Sequence, residues 1–342
     1  MAKPEKKKNT ETSLKYSNEL SLSNTPGKQV FNYSNILQGN ALNRYIHSGK
    51  KQVVLDQYTG KGEVKSQDDI RIFLTNYDQL NLTVQTKKLL DYTTTQLTRK
   101  ISMDSDLSIE KLEKQRSIVL DVDSYMETCG LKDKKTVRQQ LKEDSNVLFN
   151  SYIECKETRY ISEPGKKGRK KETVHFKLRI FDKVEFKHGG QVEISFSMEI
   201  AKYLQGAYIM PYPDSIYRIN SHLRPHSYYL ARKIAEHHNM NAKKTNANII
   251  SVSTLLAACP DIPSYDEVMS TSKHVTKLII APFERDLNAL VEAGVLISWK
   301  YCNSNGTSLT EEQYQNMDYQ TVTGLLIRFE LKDYPTRLKD IT

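Results

Sequence analysis

The sequence has little of what several protein classes require. Its 342 residues include only 14 Gly and 10 Pro, which excludes collagen-like and low-complexity chains. The apolar stretch around residues 278–280 falls far short of the roughly 18 to 20 residues that cross a bilayer. The lysine-rich first ten residues are followed by polar residues, which is not the pattern of a secretory signal. We therefore expect a cytoplasmic protein with no membrane partner.

Signatures of metal and cofactor sites are also missing. The four cysteines are Cys129, Cys155, Cys259 and Cys302, and no two of them form a C-x-x-C pair. This spacing predicts neither a zinc site nor a disulfide framework. The glycine-rich loop that binds nucleotide phosphates is absent as well. We expect no metal, no cofactor and no catalytic residue.

The composition favours a folded, basic protein. Hydrophobic residues make up 38% of the chain and charged residues 27%, and the length suffices for two domains with separate cores. The net charge of +9 favours a polyanionic partner, although it is also compatible with charge that only aids solubility. The distribution of the charge has to decide between these two interpretations.

Local composition divides the chain into three parts. Residues 1–28 mix Lys, Asn, Ser, Thr and Glu with few large apolar residues, which predicts a disordered polar tail. A segment rich in Tyr, Pro and Gly at residues 206–213 is typical of a crossing between domains. We expect an N-terminal domain over residues 29–205 and a C-terminal domain over residues 206–342.

A helix-turn-helix pattern lies in the first domain. A short strand at 118–120 leads into a short helix at 123–129, and Gly130 follows where a left-handed helix cap is needed. Asp133 can then cap a second helix that runs to about Phe149, with Val137, Leu141 and Leu148 on one stripe. This spacing predicts a helix with one buried face and one polar face.

The polar face of that helix carries side chains that contact phosphates and base edges in a major groove. The residues on this face are Lys135, Arg138, Gln139, Lys142 and Asn146. A basic helix face is more often simply solvated, so the helix alone does not establish DNA binding.

The segment after this helix strengthens the DNA hypothesis. Two runs of alternating apolar and polar residues, 152–160 and 173–186, flank a basic tip that predicts a hairpin. The cations of the tip are Lys166, Lys167, Arg169, Lys170 and Lys171. A helix-turn-helix followed by a basic hairpin is the order of a winged helix, whose wing lies along phosphates. We expect residues 191–196 to extend this wing through the turn at 188–190.

The C-terminal half repeats the order of helices and hairpin. The pattern predicts helices at 225–238, 252–259 and 272–293, then a hairpin of strands 295–301 and 325–331. Pro282 is expected to kink the last helix, whose exposed face carries His274, Lys277 and Arg285. The whole sequence therefore predicts an α+β fold of two tandem winged-helix domains, each a helix-turn-helix plus a β-hairpin wing.

Three segments of the chain have a distinctive pattern: Leu82-Thr83-Val84-Gln85-Thr86-Lys87-Lys88-Leu89-Leu90-Asp91, Tyr228-Tyr229-Leu230-Ala231-Arg232-Lys233-Ile234-Ala235-Glu236 and Pro282-Phe283-Glu284-Arg285-Asp286-Leu287-Asn288-Ala289-Leu290. With these segments the chain resembles the initiator replication proteins of theta-replicating, iteron-type plasmids and related mobile elements. The resemblance covers roughly residues 70 to 335 and consists of packed helix faces. It implies two winged-helix domains, binding to double-stranded DNA at repeated origin sites, and origin opening without enzymatic chemistry. It also implies dimerisation, leaving a homodimer and host replication proteins as candidate partners.

Two other functions remain as alternatives. A rolling-circle initiator or relaxase would use a tyrosine nucleophile beside metal-binding histidines, and Tyr228, Tyr229, His222 and His226 lie close in sequence. The His-x-His spacing that such a site normally has is absent. A winged-helix transcriptional repressor would carry the same domains, so the sequence does not separate it from an initiator. In the resembled family the C-terminal unit often makes the major DNA contacts, whereas here the more basic unit is N-terminal.

Overall fold

The structure of the chain is a computed structural model. It describes residues 28–33, 53–56, 61–64, 71–75, 83–102, 108–162, 169–205, 208–259, 262–272, 274–310, 312–313 and 318–332. Helices and antiparallel strands are mixed along these residues, which confirms the predicted α+β class. Each helix in the described segments is too short or too polar to span a bilayer.

The N-terminal half contains five helices and nine strands among its described residues. In chain order they are β1 (Lys28–Tyr33), β2 (Val53–Asp56), β3 (Lys61–Val64), β4 (Arg71–Thr75), α1 (Val84–Ser102), α2 (Ile109–Gln115), β5 (Ser117–Asp121), α3 (Val122–Cys129), α4 (Lys134–Asn150), β6 (Tyr152–Ser162), β7 (Arg169–Arg179), β8 (Phe181–Phe186), β9 (Gln191–Phe196) and α5 (Met198–Gln205).

The described part of the C-terminal half begins with a strand and then contains both helices and strands. Its elements are β10 (Tyr208–Pro213), α6 (Ser227–Asn241), β11 (Ile249–Ser251), α7 (Val252–Ala257), α8 (Tyr265–Thr271), a π-helical turn (Thr276–Ile280), α9 (Ala281–Glu292), β12 (Leu296–Cys302), α10 (Tyr319–Gly324) and β13 (Leu326–Leu331).

The first winged-helix unit is built from α1, α3, α4 and a three-stranded sheet of order β5-β9-β8. Its turn forms as the sequence predicts. Gly130 ends α3 with a left-handed φ of 66°, and the Asp133 side chain accepts a hydrogen bond from the Lys135 amide at 3.1 Å. Val137, Leu141 and Leu148 are buried, so the apolar stripe of α4 faces the core. The helix-turn-helix is therefore confirmed.

The hairpin that the sequence predicted as the wing belongs to a different sheet. β6 and β7 pair over 11 residues each, but they lie in a five-stranded sheet of order β2-β3-β4-β6-β7. β9 pairs with β5 and β8 pairs with β9, so β8 and β9 form the wing of the unit. The basic hairpin is thus inserted between the helix-turn-helix and its wing, and the predicted assignment was wrong.

The error arose at a bend within the run 173–186. Ile180 and Phe181 are consecutive residues that are both buried, at 3% and 0% exposure, and this breaks the alternation of a single strand. The chain bends at Ile180, so β7 stays with β6 while β8 turns to pair with β9. Two strands in two sheets therefore replace the single predicted strand.

The second unit has the same arrangement with one more strand than predicted. The strand β13 lies between β11 and β12, and β11 was not predicted from the sequence. Pro282 occupies the first turn of α9, where a missing backbone donor is tolerated, and the π-helical turn precedes it. The long predicted helix is therefore continuous over 275–292, with a π-helical turn just before its proline. Two winged-helix units in tandem are confirmed.

The two units share one hydrophobic core. A single cluster of buried residues includes Leu89 and Leu141 of the first unit together with Leu287 and Phe329 of the second. The strand β1 pairs with β10 on the other side of the predicted boundary. The boundary near residue 206 stays a prediction, and the predicted tail lies outside the described residues apart from Lys28.

Candidate nucleic-acid interface

An open groove lies between α4 and the turn that joins β8 to β9. It has a volume of ≈ 990 Å³ and is lined on one side by Lys134, Lys135, Arg138, Gln139 and Lys142 of α4. The opposite side is formed by Lys187, His188 and the two glycines of the turn. The sequence analysis had placed this turn in the sheet without a functional role, so Lys187 and His188 were missed. Lys134, the first residue of α4, was missed as well. The signal was present, because Lys and His stand directly before a glycine pair.

The lining of this α4 groove is positively charged. Five of its residues are Lys or Arg, and none is Asp or Glu. Lys134 Nζ lies 2.6 Å from the Asp123 carboxylate, and Lys187 Nζ lies 2.5 Å from Glu193. Both acids stand outside the lining, so these pairs hold the two lysines at the edges of the groove. Such a concave, cationic surface attracts a phosphate backbone.

Arg138 connects the two walls of the groove. A Cβ atom built on Gly190 would lie 2.8 Å from Nη2 of Arg138, so the guanidinium group packs directly on the glycine backbone. Gly190 has a φ of 88°, and its neighbour Gly189 has a φ of 82° with no atom near its Cβ position. The glycine pair therefore supplies both the turn and the space for Arg138.

The remaining predicted residues of α4 are all exposed. Gln139 Nε2 donates to Glu143 Oε1 at 2.6 Å, which orients its amide on the helix surface. Lys142 lines the groove, whereas Asn146 lies one turn further along the helix and outside the lining. The structure thus brings four of the five predicted α4 residues to the groove.

The position of α4 is fixed from behind by a buried carboxylate. Asp144 Oδ1 accepts a hydrogen bond from Thr86 Oγ1 of α1 at 2.6 Å, and Oδ2 accepts one from Gln140 at 3.0 Å. Burial raises the pKa of Asp144 above its ordinary value, although both hydrogen bonds act to lower it. The buried face of α4 is therefore held against a specific point on α1, which fixes the direction of the exposed face.

The predicted cations of the basic hairpin are only partly described. Lys166 and Lys167 lie outside the described residues. Arg169, Lys170 and Lys171 begin β7, opposite Ser162, Ile161 and Tyr160 of β6. The five-stranded sheet that carries them is separate from the sheet that forms the α4 groove. Phosphate contact by this hairpin stays a prediction.

The predicted residues of the second unit lie apart from the groove. His274 precedes the π-helical turn, Lys277 lies within it, and Arg285 lies on α9. All three are exposed, and Arg285 Nε donates to Asp286 Oδ1 at 2.8 Å. They occupy the outer face of the helix that corresponds to α4 in the second unit.

The tyrosines of the alternative relaxase site are inside the protein. Tyr228 and Tyr229 are 1% and 2% exposed, and Tyr228 Oη donates to the Asp91 carboxylate at 2.5 Å. Burial raises the pKa of Tyr228 well above its ordinary value. His226 is buried as well, while His222 is exposed. A buried, protonated tyrosine cannot attack a DNA phosphate in this conformation, so the geometry disfavours that alternative.

Comparisons with known proteins found a family that is similar to the first unit. Residues 64–208 match the family model described as initiator replication protein, WH1. This match confirms the resemblance to initiator replication proteins over that segment. No curated protein matches the chain.

Two solved structures were compared with the whole chain. A crystal structure of a selenomethionine derivative of domains 2 and 3 of RctB has 9% identity and a TM-score of 0.42, covering 86% of this chain and 99% of that one. A second crystal structure of RctB domains 2–3 has 8% identity and a TM-score of 0.38, covering 80% and 90%. At these TM-scores the architecture rests on the strand pairing and helix order of this chain.

Proposed function

From the match of residues 64–208 to initiator replication proteins, we propose that this protein binds specific double-stranded DNA at repeated origin sites and nucleates origin opening. The initiator would belong to a plasmid or a related mobile element. It would act by binding alone, without a catalytic residue, a metal or a nucleotide. Dimerisation and recruitment of host replication proteins are part of this proposal, as the family resemblance implies.

The observation that carries the proposal is the α4 groove. It combines a helix that exposes Arg138 and Gln139, the side chains suited to guanine and adenine edges, with cations on both walls. Lys135 and Lys142 are exposed and flank these two residues along the helix, and lysine is a side chain that contacts phosphates. These side chains support a proposal in which base-edge contacts and backbone contacts are made from a single surface.

A mobility-shift titration tests DNA binding directly. The full chain is titrated with duplexes that tile the DNA around its own gene, in EDTA and without nucleotide. We expect one duplex to bind more tightly than random DNA of the same length. Strict dependence on added metal would overturn the proposal of an initiator that works by binding alone.

Initiation and repression are separated by the bound DNA and by its response. Direct repeats of about 20 base pairs, close to two helical turns, beside an AT-rich tract indicate an origin. A single palindrome over a promoter indicates a repressor. On a supercoiled plasmid the initiator should make thymines of the AT-rich tract reactive to permanganate. A repressor would protect its site and leave the tract paired.

A further inference from the structure

Three carboxylates are buried in the described part of the chain, and all three lie between helices. Asp91, Asp144 and Asp286 are 4%, 4% and 0% exposed. A buried carboxylate is costly unless hydrogen bonds and cations surround it, so each must be held by specific partners. These partners connect the helix of the α4 groove to the corresponding helix of the second unit.

The first connection joins α4 to α1. Asp144 of α4 accepts the hydrogen bond from Thr86 Oγ1 of α1. Five residues further along α1, Asp91 lies inside the protein. Lys87 Nζ, one helical turn before it, lies 2.5 Å from Asp91 Oδ1.

The second connection joins α1 to α6 and therefore joins the two units. Tyr228 Oη donates to Asp91 Oδ2 at 2.5 Å, and the Arg232 guanidinium forms an ion pair with the same oxygen. Tyr228 and Arg232 are one turn apart on α6. Nearby, Lys88 Nζ donates to the carbonyl oxygen of Ile219 and lies 5.4 Å from the centre of the Tyr228 ring.

The third connection joins α6 to α9. The amide of His226, directly before α6, donates to Asp286 Oδ2 at 2.8 Å. Ser227 Oγ donates to the carbonyl oxygen of Asp286 at 3.0 Å. On α9 the exposed neighbour of Asp286 is Arg285, a predicted DNA-contacting residue.

We propose that this buried relay, Asp144–Thr86, Asp91–Tyr228–Arg232 and Asp286–His226–Ser227, holds α4 and α9 at one fixed separation. The protein then recognises two DNA subsites at one spacing, and Asp91 is the positioning residue that couples the units. This inference rests on the proposed function for its DNA readout. Its physical basis is that a half-broken buried network leaves charged groups without partners, so the intermediate positions of the units are disfavoured.

The test compares three variants with the unaltered full chain. Asp91→Asn removes the negative charge of the carboxylate that Tyr228 and Arg232 both contact. Tyr228→Phe removes the tyrosine hydroxyl and keeps the ring. Thr94→Val is the matched control. It removes a buried hydroxyl from the same helix, and the only bond that this hydroxyl makes among the described residues is to Leu90 O, within α1, at 2.6 Å.

The first readout needs no DNA. Spin labels are placed on cysteines at the exposed positions Asn146 of α4 and Glu292 of α9, in a Cys155→Ser background. Cys129, Cys259 and Cys302 are buried, and burial raises the pKa of each, so they label slowly. We expect one narrow distance in the unaltered chain and in Thr94→Val, and a broadened distribution in Asp91→Asn and Tyr228→Phe.

The second readout uses the duplex selected by the full chain. Five base pairs are inserted between the two DNA subsites, and binding is compared with and without the insertion. The insertion turns one subsite by about half a helical turn. We expect it to weaken binding by the unaltered chain about 100-fold, as when a two-module binder loses simultaneous contact. For Asp91→Asn the insertion should weaken binding by less than about 10-fold, because the two units are then free to change their separation and still contact both subsites.

Each outcome decides one point. Equally narrow distances in all four proteins would overturn the relay, whether or not DNA binds. Equal sensitivity to the insertion in all four would do the same. If the unaltered chain binds no specific duplex, the proposed function fails, and the spin-label distances still decide the relay. If Asp91→Asn does not fold, Tyr228→Phe decides both readouts.

Discussion

Replacing Gly190 with alanine should change DNA recognition through Arg138 without touching any charge. The new Cβ would stand 2.8 Å from Nη2 of Arg138, closer than carbon and nitrogen atoms pack. The obstructing atom is the far end of a flexible side chain, so we expect the guanidinium group to move while the backbone stays. Gly189→Ala is the matched control, because its Cβ meets nothing within 4 Å.

The expected magnitudes separate the two variants. Both glycines have a left-handed φ, so each alanine should lower the free energy of unfolding by about 1 to 2 kcal/mol. Only Gly190→Ala should also disturb base contact by Arg138. A well-formed Arg–guanine pair is worth about 1 to 3 kcal/mol, which corresponds to roughly a 5- to 150-fold loss of affinity for the preferred site.

The assay measures the free energy of unfolding and the DNA sequence preference of each variant. Urea unfolding of both variants measures the cost of backbone strain, and fluorescence anisotropy with the selected duplex and with random DNA measures discrimination. Gly190→Ala should match Arg138→Ala in the motif that it selects, while Gly189→Ala should select the motif of the unaltered chain. Equal affinity and one unchanged motif for both glycine variants would refute the role given to Arg138 at this turn.

Three further predictions follow from the same surfaces and from the buried lysine. Replacing Lys166, Lys167, Arg169, Lys170 and Lys171 with Gln should weaken binding to specific and random DNA alike. If all five contact phosphates, the slope of log K against log salt should become less steep by about 4.5. Lost discrimination with an unchanged slope would exclude phosphate contact by this hairpin. Lys142→Ala should lower affinity evenly across sequences, whereas Arg138→Ala should relax preference at one or two positions in binding-site selection; an unchanged motif for Arg138→Ala would move base recognition to His274, Lys277 and Arg285. Burial lowers the pKa of Lys87 from its ordinary 10.5 to about 7, so between pH 7 and 10 the unfolded chain holds more protons and the free energy of unfolding should rise with pH, by about 1 kcal/mol per pH unit from this group. Urea unfolding at pH 7, 8 and 9 measures the rise, and a rise of the same size in Lys87→Met would assign it to other groups.

The helix-turn-helix of the first unit could be predicted from the sequence because its determinants are local. The left-handed cap at Gly130, the capping side chain of Asp133 and the apolar stripe of α4 all depend on residues within a few turns. Helical spacing alone also places Lys135, Arg138, Gln139 and Lys142 on one polar face. Helical periodicity and capping act within one element, so the surrounding fold was not needed to identify them.

The choice of wing was decided only by the tertiary structure. The β6–β7 hairpin and the β8–β9 hairpin both satisfy the alternation of a strand pair. The basic tip of the first favoured its assignment as the wing. Which hairpin stands beside α4 depends on the pairing of β5 with β9 and of β4 with β6, contacts between residues 70 to 85 positions apart. Local pattern carries no information about such partners.

The sequence by itself determined a basic, two-unit winged-helix chain whose first unit has a helix with a polar, cationic face. The tertiary structure alone decided that Lys187 and His188 share the groove with Arg138, and that Asp91, Asp144 and Asp286 are buried. A carboxylate is expected at the surface when only its identity is known. Each carboxylate becomes a buried link only when partners from other elements reach it. Thr86 reaches Asp144, Tyr228 and Arg232 reach Asp91, and the amide before α6 reaches Asp286, and these contacts exist only after the helices have packed.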